Sequence, residues 1–151
     1  MLTITPFLWF DTQAEEAMNF YVSIFPRSKV ISVNRQGATV MSVVFELEGQ
    51  QLMGLNAGPM FKFNEAVSFF VGCDTQQEID DLWAKLIAGG GAPSRCGWLK
   101  DQFGLSWQIV PNALGRMMSS GDPASSQRVM QALMQMEKLD VNALQRAFDA
   151  K

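Results

Sequence analysis

The chain has 151 residues, of which 48% are apolar, eleven are Phe and none is His, and its formal net charge is −3. That length and apolar content suit one core, or two small repeats sharing one, buried without disulfide staples. Singly scattered cations (Arg27, Lys29, Arg35, Lys62, Lys85, Arg95, Lys100) make no basic stripe for phosphates, which excludes nucleic acid as a partner; the missing histidines exclude Ser-His-Asp triads, Cys-His pairs, zinc fingers and H-E-x-x-H sites.

In chain order, residues 4–10 form an apolar stretch that predicts a buried strand. It runs into Phe10-Asp11-Thr12-Gln13-Ala14-Glu15, whose Thr-x-x-Glu is the capping box that satisfies free N–H groups at a helix start. Ala14, Ala17, Met18, Tyr21 and Val22 then recur at three and four, the spacing of a helix face. Strands are predicted over 30–33, 39–48 and 51–56, and Val43, Phe45 and Leu47 alternate with polar or outward positions. The turn Glu48-Gly49-Gln50 makes a hairpin of the last two.

The order then repeats. Residues 66–73 predict a second buried strand, running into Cys73-Asp74-Thr75-Gln76-Gln77-Glu78 with the same capping box. Ile79, Leu82, Trp83 and Leu86 follow at helical spacing, and Gly89-Gly90-Gly91 stops the helix. A strand over 94–99, the turn Asp101-Gln102-Phe103-Gly104 and a strand over 105–110 come next, closed by Pro111. Two Thr-x-x-Glu boxes on strand-to-helix junctions, with a shared Asp-Thr-Gln, point to a duplicated βαβββ unit. Past the loop Ser119-Ser120-Gly121, Asp122-Pro123 opens a helix with the stripe Val129, Met130, Leu133 and Met134. Asp140 caps a last helix carrying Val141, Leu144 and Phe148 on one face. The methionines here (Met117, Met118, Met130, Met134, Met136) suit flexible core packing. The predicted fold is α+β in one domain: module one at about 1–60, module two at about 61–112 and a helical tail at about 113–151.

Two cysteines, Cys73 and Cys96, make no disulfide framework. The longest apolar runs, such as 66–73, fall short of the roughly 20 residues that cross a bilayer. Residues 1–6 show no basic region followed by an apolar stretch. A cytoplasmic location with no membrane partner is therefore expected.

Several segments resemble PhnB-like proteins, a family also labelled the 3-demethylubiquinone-9 3-methyltransferase domain. They are Ile4-Thr5-Pro6-Phe7-Leu8-Trp9-Phe10, Phe20-Tyr21, Phe25-Pro26, Asn56-Ala57-Gly58-Pro59, Cys96-Gly97-Trp98-x-x-Asp101-x-x-Gly104, Trp107-Gln108-Ile109-Val110-Pro111 and, in the tail, Arg128-Val129-Met130-Gln131-Ala132. The resemblance implies the vicinal-oxygen-chelate superfamily (glyoxalase, bleomycin resistance, dioxygenase), in which paired βαβββ modules form a cup-shaped mixed sheet. It also implies where a divalent metal would be held by His, Glu or Gln: the first strand, its repeat equivalent and the two module-closing strands. Those positions carry Thr5, Ser68, Met53 and Gln108. Neutral hydroxyls are poor substitutes for imidazole or carboxylate, and one amide cannot hold a metal against water. No metal and no cofactor are expected.

Other chemistry is thin. Methyl transfer from S-adenosylmethionine usually needs a glycine-rich loop after a strand, whereas Gly89-Gly90-Gly91 follows a helix. Cys96 has only Arg95 or Lys100 nearby to activate a thiolate, and Cys73 lies inside an apolar strand. Glu46 and Glu48, two apart on one strand, suit a solvated face better than an acid/base pair. The resemblance implies that the Gln108 face looks into the cup, an apolar hollow with a few polar anchors that Trp9, Asn56, Phe61, Ser68, Trp98 and Gln108 are expected to line, with Phe7 beside them. The expected function is binding of a small, partly apolar organic molecule by a protein with a degenerate metal site. The alternative is an enzyme: a metal-dependent lyase, isomerase or dioxygenase, or the labelled methyltransferase. A trimmed second module leaves sheet edge to be covered, so a homodimer is expected.

Overall fold

The computed structural model describes residues 1–151. They fall into two compact units, residues 1–63 and 64–151.

The first unit is one βαβββ module: β1 (Phe7–Phe10), α1 (Ala14–Ile24), β2 (Ser28–Gln36), β3 (Thr39–Leu47) and β4 (Gln50–Asn56). Its sheet order is β1-β4-β3-β2, with β1 parallel to β4 and the other pairs antiparallel. β1 begins at Phe7, later than the apolar stretch suggests, because Pro6 has no N–H for a ladder; its carbonyl still accepts from Met53 N–H at 3.0 Å. Period two puts Val43, Phe45 and Leu47 of β3 on the buried face. They share it with Ala14, Ala17, Met18, Tyr21 and Ile24, the apolar side of α1. Tyr21 stacks on Phe45 with ring centroids 6.3 Å apart. Each large side chain buried in this way contributes roughly 1.5–3 kcal/mol.

The predicted capping box at Thr12 does not form. The residue before α1 is Gln13, which makes no side-chain cap bond. Ala14 N–H instead donates to Oδ1 of Asn56, at the far end of β4, at 2.8 Å.

The second unit holds β5 (Ser68–Cys73), α2 (Gln76–Ile87), β6 (Ala92–Pro93), β7 (Trp98–Lys100) and β8 (Ser106–Pro111), in sheet order β5-β8-β7-β6. β5 and β8 are parallel and the other pairs antiparallel. Here the box does form: Thr75 Oγ1 accepts from Glu78 N–H at 3.2 Å, and Glu78 Oε2 accepts from Asp74 N–H at 2.8 Å. Residues 94–99 are not one strand. Cys96 and Gly97 take positive φ (60° and 85°) and break the extension between β6 and β7. Their N–H groups donate to the carbonyls of Met136 and Glu137, both at 2.8 Å.

Three tail helices, α3 (Asn112–Met118), α4 (Pro123–Leu133) and α5 (Val141–Asp149), complete this unit; the sequence reading had only the last two. Asp122 and Asp140 cap α4 and α5 as predicted. Val129, Leu139 and Leu144 bury against Met117 and Val110, so most of the tail stripe is covered by its own unit. Gln76 at the head of α2 ties the tail down: its Nε2 donates to the Leu139 carbonyl at 3.0 Å and its Oε1 accepts from Val141 N–H at 2.8 Å. The strand pairing thus makes two four-stranded mixed sheets, one per module. No helix is long and apolar enough to cross a membrane.

Candidate functional site

In module two, β8 alternates between two environments. Trp107 and Ile109 share one face, where both are buried. Ser106, Gln108 and Val110 share the opposite face. Strand register fills out that face: Gln108 lies between Phe70 of β5 and Trp98 of β7, and Ser106 lies between Ser68 and Lys100. Gln108 Nε2 donates to Ser68 Oγ at 2.9 Å. The tail core seals the Val110 end, while Phe70 at 63% exposure marks the open end.

Three of the six predicted site residues, Ser68, Trp98 and Gln108, therefore meet on one sheet face. The other three belong to module one. Trp9 and Phe61 meet edge to face at 4.9 Å, and Trp9 Nε1 donates to the Gly58 carbonyl at 2.9 Å. Asn56 has both ends of its amide engaged: besides capping α1, its Nδ2 donates to the Val40 carbonyl at 3.1 Å. That is a structural amide by its contacts, with its acceptor and one donor hydrogen bonded inside the module. Phe7 stands on the same side of β1 as Trp9 and is 53% exposed.

Sequence reasoning missed Lys100 and Glu65, which form an ion pair beside Ser106. Alternation from Trp98 already placed Lys100 on the Gln108 face. Glu65 had no local signal, since it stands in the turn before β5, 35 residues earlier in the chain. The Lys100 ammonium holds the Glu65 carboxyl below its ordinary range.

Four other reactive groups, Cys73, Glu46, Glu48 and Asp101, are buried or paired within the fold. Cys73 is 1% exposed, and burial, with Glu78 and Asp74 adding to it, pushes its thiol up to about 11. Glu46 and Glu48 do not pair on one strand face. Glu48 lies beyond β3 at positive φ and binds Arg27, while Glu46 faces Lys29 at 3.8 Å. Asp101, in the most specific motif of the sequence, is 3% exposed and builds the β7–β8 turn. Its carboxylate accepts from Phe103 N–H, Leu105 N–H and Trp107 Nε1, at 2.9, 3.1 and 2.9 Å.

The family model for 3-demethylubiquinone-9 3-methyltransferase matches residues 2–110 of this sequence. The PhnB protein of Bacillus cereus is 36% identical, with a TM-score of 0.68 over 73% of this chain and 99% of that one. The chain is a PhnB-like member of this family. Protein PA1353 of Pseudomonas aeruginosa, at 19% identity, shares the fold with a TM-score of 0.62 over 74% of this chain and 98% of that one. A glyoxalase-related enzyme of Fulvimarina pelagi, at 14% identity, does so with a TM-score of 0.52 over 75% and 91%. No curated protein matches the sequence. The match ends at Val110, so the likeness in the tail at 128–132 lies outside the family model.

The divalent metal that this fold family implies does not fit the residues present. The four positions hold two hydroxyls (Thr5, Ser68), a thioether (Met53) and an amide (Gln108), with no anionic or imidazole donor among them. Ser68 and Gln108 are hydrogen-bonded to each other. Nowhere do three or more Cys, Asp or Glu side chains gather as a metal-binding group.

Proposed function

We propose that this PhnB-like protein, with a degenerate metal site, binds a small, partly apolar organic molecule on the module-two sheet face, at Ser68 and Gln108. The observation that carries this reading is the Gln108–Ser68 hydrogen bond. Two of the four ligand positions satisfy one another there, yet polar capacity remains: Gln108 keeps its Oε1 acceptor and Ser68 its hydroxyl hydrogen. Half-buried Trp98 and exposed Phe70 supply apolar wall beside them. A few polar anchors in apolar surroundings is the make-up of small-molecule sites. Methyl transfer has less support, because Gly89, Gly90 and Gly91 lead out of α2 and no strand runs into them. Two free cysteines agree with a cytoplasmic setting.

Elemental analysis after dialysis against zinc, nickel, manganese and iron tests the metal half. Far less than one ion per chain is expected, and one ion per chain whose binding is lost in Ser68→Ala or Gln108→Ala refutes it. A thermal-shift screen tests the ligand half, since a molecule that binds only the folded state must raise Tm.

We propose further that the protein works as a homodimer. In module one, β2 is a nine-residue edge strand with Val30 and Ile31 43% and 45% exposed. In module two, β6 is only two residues long. Open edges with apolar side chains seek partners. Light scattering at micromolar concentration should give about twice the 16.8 kDa chain mass, with an interface above about 1,000 Å². A monomer mass refutes the dimer.

A further inference from the structure

Ser106 is 1% exposed, and its hydroxyl has no hydrogen-bond partner. Buried hydroxyls without a partner are rare, because each has given up water and received nothing in return. This one lines a half-open hollow of about 270 Å³ together with Glu65, Ala92, Trp98 and Lys100. Register explains the grouping. The ladder bonds flanking Lys100 and Ser106 run from Ile109 N–H to the Gly97 carbonyl and from Asp101 N–H to the Leu105 carbonyl. Lys100 and Ser106 therefore face each other as a close, non-hydrogen-bonded pair, and so do Trp98 and Gln108. The Lys100 ammonium is held by Glu65, whose side chain is 61% exposed and stands in a turn. Such an exposed ion pair is weak and readily exchanged.

We infer that this hollow is a subsite for the oxyanion end of a small organic acid, whose apolar body lies against Trp98. The inference rests on the ligand face proposed above and names the class of ligand. An incoming carboxylate or phosphate takes the place of Glu65 on Lys100 and accepts from the Ser106 hydroxyl. A neutral amide can accept from both Ser106 and the ammonium, but it brings no negative charge to replace the Glu65 carboxylate on Lys100, so it exchanges an ion pair for a weaker ion–dipole bond. Trp98 is half-buried and lines the hollow, where it offers its apolar surface.

The test is a titration of the full chain with benzoate, phenyl phosphate and benzamide, followed by amide NMR shifts. At least one of the two anions should shift the amides of residues 98–100 and 106–108 at about tenfold lower concentration than benzamide. Which anion binds more tightly distinguishes a carboxylate source from a phosphate source. Ser106→Ala should weaken the anion about fivefold or more without lowering Tm, since no bond is lost on removing an unpartnered hydroxyl. Glu65→Gln should tighten it severalfold by freeing Lys100. Equal binding of benzamide at the same amides overturns the oxyanion subsite and leaves the ligand face standing. Unchanged affinity in Ser106→Ala also overturns the subsite. No shift at this face with any of the three probes overturns both.

Discussion

Module one and module two run the same βαβββ order, but they satisfy the same free groups with different atoms. The first N–H of α1 is met by Asn56 from β4, 42 residues away in sequence. The start of α2 is met by Thr75 and Glu78 from its own first turn. The hairpin turns differ in the same way. Glu48 at the β3–β4 turn pairs with Arg27 near the surface, whereas Asp101 at the β7–β8 turn is buried under three bonds. Gln76 carries the tail, while its repeat counterpart Gln13 is exposed. A duplicated sequence keeps the positions of its elements, because periodicity and strand pairing set those. It is free to exchange the hydrogen-bonding groups, because a helix end needs only some acceptor within reach.

The sharpest way to break this comparison is at the two turns. Asp101→Ala should cost about 3 kcal/mol in chemical denaturation, because three donors lose a buried acceptor. Glu48→Ala should cost less than about 1 kcal/mol. Comparable losses would show that the turns are equivalent after all. The helix starts come next. Asn56→Ala removes a cap and a link to β3 and should cost about 2 kcal/mol, against about 1 kcal/mol for Thr75→Ala. Hydrogen exchange should localise the first loss to residues 1–63 and the second to residues 64–151. The smallest effect is expected at Gln108→Ala, below about 1 kcal/mol, with ligand-induced Tm shifts abolished. A loss of several kcal/mol would recast Gln108 as a structural amide of the kind Asn56 is.

The βαβββ order, the buried face of β3, the capping box of α2 and the caps Asp122 and Asp140 were legible in the sequence. All depend on neighbours within four residues or on a period of two or 3.6, so a short window contains the physics. The face bearing Gln108 was legible for the same reason: alternation along β8 places Ser106, Gln108 and Val110 together. What tertiary structure alone decided was which distant group meets each free atom. Thr12 had the right chemistry to cap α1, but Asn56 reaches Ala14 N–H because β4 pairs with β1 at Phe10. Residues 94–99 looked extended, but the tail offered the carbonyls of Met136 and Glu137, some 40 residues later, and Cys96 and Gly97 turned to meet them. Glu65 joined Lys100, and Ser106 was left without a partner, through strand register. Register is set by the sum of all pairings in a sheet, and no short window of sequence contains that sum.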